Sequence, residues 1–365
     1  MTIKELTQYL EEIAPLAYQE EYDNAGLIVG QASKEIHQAL ISLDCTEEVV
    51  DEAIAQKCDI IISHHPIVFK GLKKFNGNHY VERVIIKAIE NKIAIYAIHT
   101  NLDHILAGVN GKISEKIGLK NCKILSPKVG VIKKLVFFTP LAYADIIKEK
   151  LYAAGAGNIG NYSECSFNIS GTGTFKANEQ AKPFIGETNI LHQENELRIE
   201  MIYPAPAEKR ILSALWASHP YEEVAYEISS IDNEHQNVGA GIIGELEDER
   251  SGLDFLHDLK EKMGLTVIRH TQILDTKVKK VAVCGGSGSF LLNKAIQANA
   301  DVLVTADFKY HEFFDADKKI LIADIGHYES EQFTQELLLD IITKKFPNFA
   351  VRLTGNNTNP IKYLS

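Results

Sequence analysis

A chain of 365 residues is longer than one ordinary hydrophobic core sustains, so two or more domains are expected. With 45% hydrophobic and 24% charged residues it has the composition of a globular protein, and no apolar run approaches the ~20 residues of a membrane span. A formal charge of −11 argues against broad, sequence-independent binding of nucleic acid, and five scattered cysteines without a Cys-x-x-Cys pair indicate neither a disulfide framework nor a thiolate metal site. The first residues lack a basic-then-apolar leader, so a cytoplasmic protein is expected. Thr2 and Glu5 have capping-box spacing, and Ile3, Leu6, Leu10 and Ile13 share one face, predicting an opening helix that ends before Pro15. A polar turn from Tyr22 to Gly26 follows. Ala39 to Asp44 reads as a strand, Thr46 to Lys57 as a helix, and Ile60-Ile61-Ile62-Ser63 as a strand buried on both faces that stops at His64-His65-Pro66. A helix over Val81 to Asn91 then leads into the strand Ile93 to Ile98, which ends on His99-Thr100-Asn101-Leu102-Asp103. Strands alternating with helices in this way predict a mainly parallel sheet with these polar residues together at its carboxyl end.

The last third repeats the plan. Strands are predicted at Val281 to Cys284, Asp301 to Thr305 and Lys319 to Asp324, with helices at Phe290 to Asn299 and from Tyr328 to Lys345. Lys57 to Ser63 corresponds to Asn299 to Thr305, and Lys92 to Ile98 to Lys319 to Ile325, as expected of two related α/β lobes. Between them a segment of different character reads as strand, helix, strands, helix, strand, the order of an α+β ferredoxin-like insert, with a long polar loop from Thr174 to Gly186. The expected division is therefore 1–129 and 236–365 for the lobes of one metal-binding domain, and 130–235 for the insert.

The candidate chemistry lies just beyond strand ends. Neighbouring side chains of an extended chain point apart, so His64 and His65 suit two ions better than one. Asp103 follows the next strand, and His327 with Glu331 forms an i, i+4 pair on one helical face. Three imidazoles and two carboxylates exceed the four ligands of a structural zinc site. They suit a pair of divalent ions roughly 3.5–4 Å apart that share a carboxylate and activate water. Zinc is the first expectation, with iron, manganese and cobalt compatible with the same nitrogen and oxygen donors. Gly285-Gly286-Ser287-Gly288, between a strand and a helix, could cradle a phosphate or simply make a tight turn; it lacks the lysine of a Walker loop. His99 and His311 are candidate proton carriers, and Asp23 and Asp307 candidate supports for the ligands.

Tyr22-Asp23-Asn24-Ala25-Gly26, Ser63-His64-His65-Pro66, His99-Thr100-Asn101-Leu102-Asp103, Gly285-Gly286-Ser287-Gly288 and His327-x-x-x-Glu331 together resemble the signature blocks of the NGG-one-interacting-factor-three-like family. Its members often carry the label GTP cyclohydrolase I type 2 homologue. The resemblance implies a two-lobed α/β fold with a dinuclear metal centre in the cleft, held by His64, His65, Asp103, His327 and Glu331, and a ring-shaped homohexamer. The insert, through His219-Pro220-Tyr221-Glu222-Glu223, is similar to the PII-type and CutA-type trimeric domains of longer bacterial members. One departure is Thr305-Ala306-Asp307, where the family commonly has glycine in the middle. Two functions stay open: a metal-dependent hydrolase of a nucleotide or related small molecule, and a non-enzymatic metal-binding scaffold.

Overall fold

The structure is a computed structural model that describes residues 1–364. It is a mixed α/β protein with three sheets and divides into two compact units, one formed by Met1–Pro127 with Asn237–Ser365 and the other by Lys128–Gln236. Among the described residues no helix is long and apolar enough to cross a membrane.

The first unit contains two sheets. In one, Ile60–Ser63 lies between Ala94–Ala97 and Gln38–Ser42, parallel to both, and the outer strands are Gly26–Val29, antiparallel, and Ala350–Leu353, parallel. All four residues of Ile60–Ser63 are buried, as the branched apolar run requires when both faces are covered. On one face Val49, Val50 and Ala53 of the helix Glu47–Ala55 and Val84, Ile85 and Ala88 of the helix Tyr80–Glu90 pack against Leu40, Ile61 and Ile95. The helix Ile3–Ile13 opens on the expected capping box of Thr2 and Glu5 and buries Ile3, Leu6 and Leu10.

The second sheet runs Arg269–His270, Leu321–Asp324, Val302–Ala306, Lys277–Ser287, His235–Ser251, Lys120–Lys128. Its central three strands are parallel and their inward residues are buried between covering elements, from Val281 and Val283 to Ile322 and Ala323. Each sheet borrows a strand from the other end of the chain: Ala350–Leu353 completes the first, and Lys120–Lys128 completes the second. The expected helix from Tyr328 to Lys345 is two helices, His327–Glu331 and Thr334–Lys345. The short first piece sets His327 and Glu331 at the carboxyl end of Leu321–Asp324.

The second unit is one antiparallel sheet in the order Phe167–Lys176, Leu191–Pro204, Ile132–Pro140, Tyr226–Ile231. The helices Ala144–Ala153 and Glu208–Ser218 bury Ile147, Leu151, Ile211 and Leu215 against Leu135, Phe137, Ile199 and Met201. Numbered along the chain, the strand order is second, third, first, fourth. The Gly-, Ser- and Thr-rich stretch from Gly155 to Gly173 contributes most of the strand Phe167–Lys176, whose ten residues all pair with Leu191–Pro204. A partner strand supplies the order that its Gly, Ser and Thr content does not.

Candidate metal centre

Four imidazoles converge beyond the strand ends of the first unit, and each has its Nδ1 tied down. His64 Nδ1 donates to the Ile98 carbonyl at 2.8 Å. His65 Nδ1 lies 2.8 Å from Asp44 Oδ1, His99 Nδ1 2.7 Å from Asp23 Oδ1, and His327 Nδ1 2.7 Å from Asp307 Oδ2. Such partners fix the tautomer and ring orientation, leaving Nε2 as the donor aimed into the site. Asp44 is itself held by the Thr358 hydroxyl, which donates to Oδ2 at 2.6 Å, and Asp23 by the amide and hydroxyl of Thr100.

Glu331 is the hub. Its Oε2 is 3.0 Å from His65 Nε2 and 3.2 Å from His327 Nε2, while Oε1 is 3.9 Å from His64 Nε2. His64 Nε2 is in turn 3.6 Å from Asp103 Oδ1. Both of those atoms are buried without a hydrogen-bond partner. Unpartnered buried donors of this kind cost about 1–3 kcal/mol each. A cation between them removes that cost, so this nitrogen and oxygen set fits a divalent metal of borderline softness. Two overlapping groups have suitable donor atoms within 4.8 Å of one another: His64, His65 and His99, and His65, His327 and Glu331.

The charges follow from the same contacts. Burial pushes His64 down to about 3, so it is neutral and ready to coordinate. Burial also opposes charge on His65 and His327, but hydrogen bonds to Asp44 and Glu331 raise the first to about 10, and hydrogen bonds to Asp307 and Glu331 raise the second to about 11. Burial and the neighbouring Glu331 charge hold the Asp103 carboxyl well above the usual range. Glu331 is held well below it, because the His327 and His65 hydrogen bonds outweigh burial. Without a metal the cluster therefore keeps protons that a metal must displace.

Of the expected site residues, His64, His65, Asp103, His327 and Glu331 come together. His99 joins them with its ring centroid 5.3 Å from those of both His64 and His65, which places it among the potential ligands as well as the proton carriers. His311 does not join them. It lies on the exposed turn Tyr310–Ala316 against Tyr310 and Phe314, and it does not line the metal-site cavity. The expected phosphate cradle is also corrected in part: Gly285 and Gly286 belong to the strand Lys277–Ser287, and their amides already donate to Asn110 Oδ1 and Ser330 Oγ. Ser287 ends that strand and Gly288 follows it, and the helix beyond is only Leu292–Gln297. What the glycines supply is space. Gly286 has φ +60°, and a Cβ there would fall 2.5 Å from Glu331 Oε1 and 3.2 Å from His327 Nε2.

The sequence reading missed Asp44, although it too follows a parallel strand. It also missed the rim. A cavity of about 540 Å³ opens onto His65, His99, Asp103, His327 and Glu331, and Tyr22, Phe69 and Phe290 line it from three separate segments. These rings are 68%, 49% and 66% exposed, an unusual outlay of aromatic surface unless it meets a ligand.

The profile of the Duf34/NIF3 (NGG1p interacting factor 3) family matches residues 1–360. The chain belongs to this family. A Bacillus subtilis protein called GTP cyclohydrolase 1 type 2 homolog is 37% identical over 367 residues, covering 99% of this chain and 98% of that protein. A solved Bacillus cereus structure described as related to NIF3 is 37% identical, with a TM-score of 0.85 and coverage of 100% of this chain and 99% of the other. A Staphylococcus aureus structure is 30% identical with a TM-score of 0.78 and the same coverage. The family match therefore runs along almost the whole chain, and the chain clusters histidines and carboxylates that could hold a metal.

Proposed function

We propose that this Duf34/NIF3 member is a metal-dependent hydrolase that holds two divalent ions and acts on a nucleotide or a related small molecule. The observation that carries the reading is the position of Glu331, whose two oxygens face different ligand sets: Oε1 toward His64, which itself faces Asp103, and Oε2 toward His65 and His327. A carboxylate so placed is suited to bridge two ions. Bound there, divalent ions would supply a Lewis acid for the target bond and water acidic enough to deprotonate near neutral pH. Zinc suits the donors, as do iron and manganese. Asp44, Asp23 and Asp307 keep the imidazoles aimed, and Asp44 and Asp307 raise the basicity of His65 and His327. Tyr22, Phe69 and Phe290 offer faces on which a planar base can stack while its reactive atom reaches the ligands.

The experiment is product formation from GTP, beside a generic phosphodiester, by protein reloaded separately with zinc, manganese and iron(II), with Glu331→Gln as control. Ring-opened or formate-releasing turnover of GTP that vanishes in the variant supports the cyclohydrolase form of the reading. Phosphodiester cleavage alone keeps the hydrolase and discards guanine as substrate. Silence on both with metal bound overturns the hydrolase in favour of a metal-binding scaffold.

The finer architecture belongs to the same reading. The helices and the strand order of the insert support a ferredoxin-like, PII/CutA-like domain at about 130–235, interrupting one metal-binding domain formed by two lobes at 1–129 and 236–365. The strand Phe167–Lys176 leaves one edge of that sheet unpaired and exposes Phe167 and Ile169, features that favour self-association. A homohexamer with the insert as a trimerising element is expected in the cytoplasm, with neither membrane nor nucleic acid as partner. Sedimentation equilibrium should give six times the 40.6 kDa chain mass; a monomer at micromolar concentration contradicts it.

A further inference from the structure

The 177–190 loop and the turn after the helix Glu208–Ser218 enclose a second cavity, of about 760 Å³, wholly within the unit Lys128–Gln236. Its size lies within the ~300–1,000 Å³ of small-molecule sites. Beside Phe138, three rings from three segments line it. Phe175 ends the strand Phe167–Lys176, Phe184 sits in the loop, and Tyr221 follows His219-Pro220; the Tyr221 centroid is 6.3 Å from that of Phe175 and 6.4 Å from that of Phe184. Phe184 is 52% exposed, so this aromatic group is not closed off as a core.

The charged lining is acidic. Of the charged residues in the wall three are glutamates, Glu196, Glu222 and Glu223, and one is a lysine, Lys176. Glu196 is also oriented. Its Oε1 accepts from the Tyr221 hydroxyl at 2.9 Å, and its Oε2 lies over Gly173, where a Cβ would come within 2.1 Å. The absence of a side chain at Gly173 thus lets this carboxylate lie beside the rings. Glu222 Oε1 accepts from the Lys182 amide at 2.8 Å and ties the loop to the turn, so loop and turn form one wall.

Aromatic faces beside fixed carboxylates recognise organic cations, because the negative ring faces and the carboxylate charge act on the same ligand group. We infer that the insert binds a small organic cation, of the alkylammonium class, in the cavity formed by Phe175, Phe184, Tyr221 and Glu196. This site is separate in composition from the metal centre, shares no residue with it and does not depend on the hydrolase reading.

Calorimetric titration of the full-length protein with choline, beside its uncharged isostere dimethylbutanol, in which carbon replaces the quaternary nitrogen, tests the inference. Choline should bind saturably and the isostere roughly tenfold or more weaker. Phe184→Leu and Glu196→Gln should each weaken choline by roughly tenfold while far-UV circular dichroism, unfolding temperature and bound metal stay at the parent values. Equal binding of the neutral isostere, undiminished binding in both variants, or no saturable binding of choline at millimolar concentration would overturn it.

Discussion

Replacing Glu331 by Gln is expected to reduce bound metal from two ions per chain to one or none while the fold persists. The substitution keeps the size of a side chain that is 3% exposed, so packing around the helix His327–Glu331 is retained. What it removes is the charge and the second anionic oxygen on which both ligand sets converge. Loss of an outer supporting carboxylate typically weakens metal binding by about 10–100-fold. Loss of the central ligand should exceed that. His65→Ala should act in the same direction through the loss of one imidazole. Mass spectrometry of metal in dialysed protein, paired with circular dichroism, reads the result. Full occupancy in both variants with an unaltered spectrum would sink the ligand assignment.

Metal uptake at neutral pH should expel about two protons at the position held by His65 and His327. In the metal-free protein His65, raised to about 10, and His327, raised to about 11, are both protonated at pH 7, yet both must be neutral to coordinate. Their raised values mean that the stabilisation from their pairing with Glu331 is fully present below their ordinary value of about 6.5. It is lost as pH rises through 10 and 11. Metal competes with those protons, so apparent affinity should rise by up to about a hundredfold per pH unit below pH 10 and level off above pH 11. His64 adds nothing to this slope, since burial already keeps it neutral. Titration of zinc into metal-free protein in buffers of different ionisation enthalpy counts the protons directly. A count of zero between pH 7 and 8 would show that the network of His65, Glu331 and His327 is not the metal's seat.

The candidate ligands could be picked out because each stands where a branched apolar strand stops, and the structure places those stops together. The opening capping box and the strands around Ile61 and Leu303 were readable for the same local reason. The exchange of Lys120–Lys128 and Ala350–Leu353 between the two sheets was not, because pairing across more than a hundred residues leaves no mark on local periodicity. Phe167–Lys176 was missed because its weak strand composition is offset by a partner twenty residues on. The glycine run stayed open between a phosphate cradle and a tight turn because spacing alone does not tell an amide that is free from one already donating to Asn110 or Ser330. Gly286 is where a positive φ and a close approach coincide, and both are properties of the folded site. His311 shares its residue type and strand-end position with the ligands, yet the turn at Tyr310–Ala316 carries it to the surface.

The central claim is that Glu331 joins two metal positions, one against His64 and Asp103 and the other against His65 and His327. Anomalous diffraction at the zinc edge from crystals of the zinc-reloaded, full-length protein tests it most directly. Two peaks flanking the Glu331 carboxylate are predicted. A single peak, or peaks that do not touch Glu331, would contradict the account.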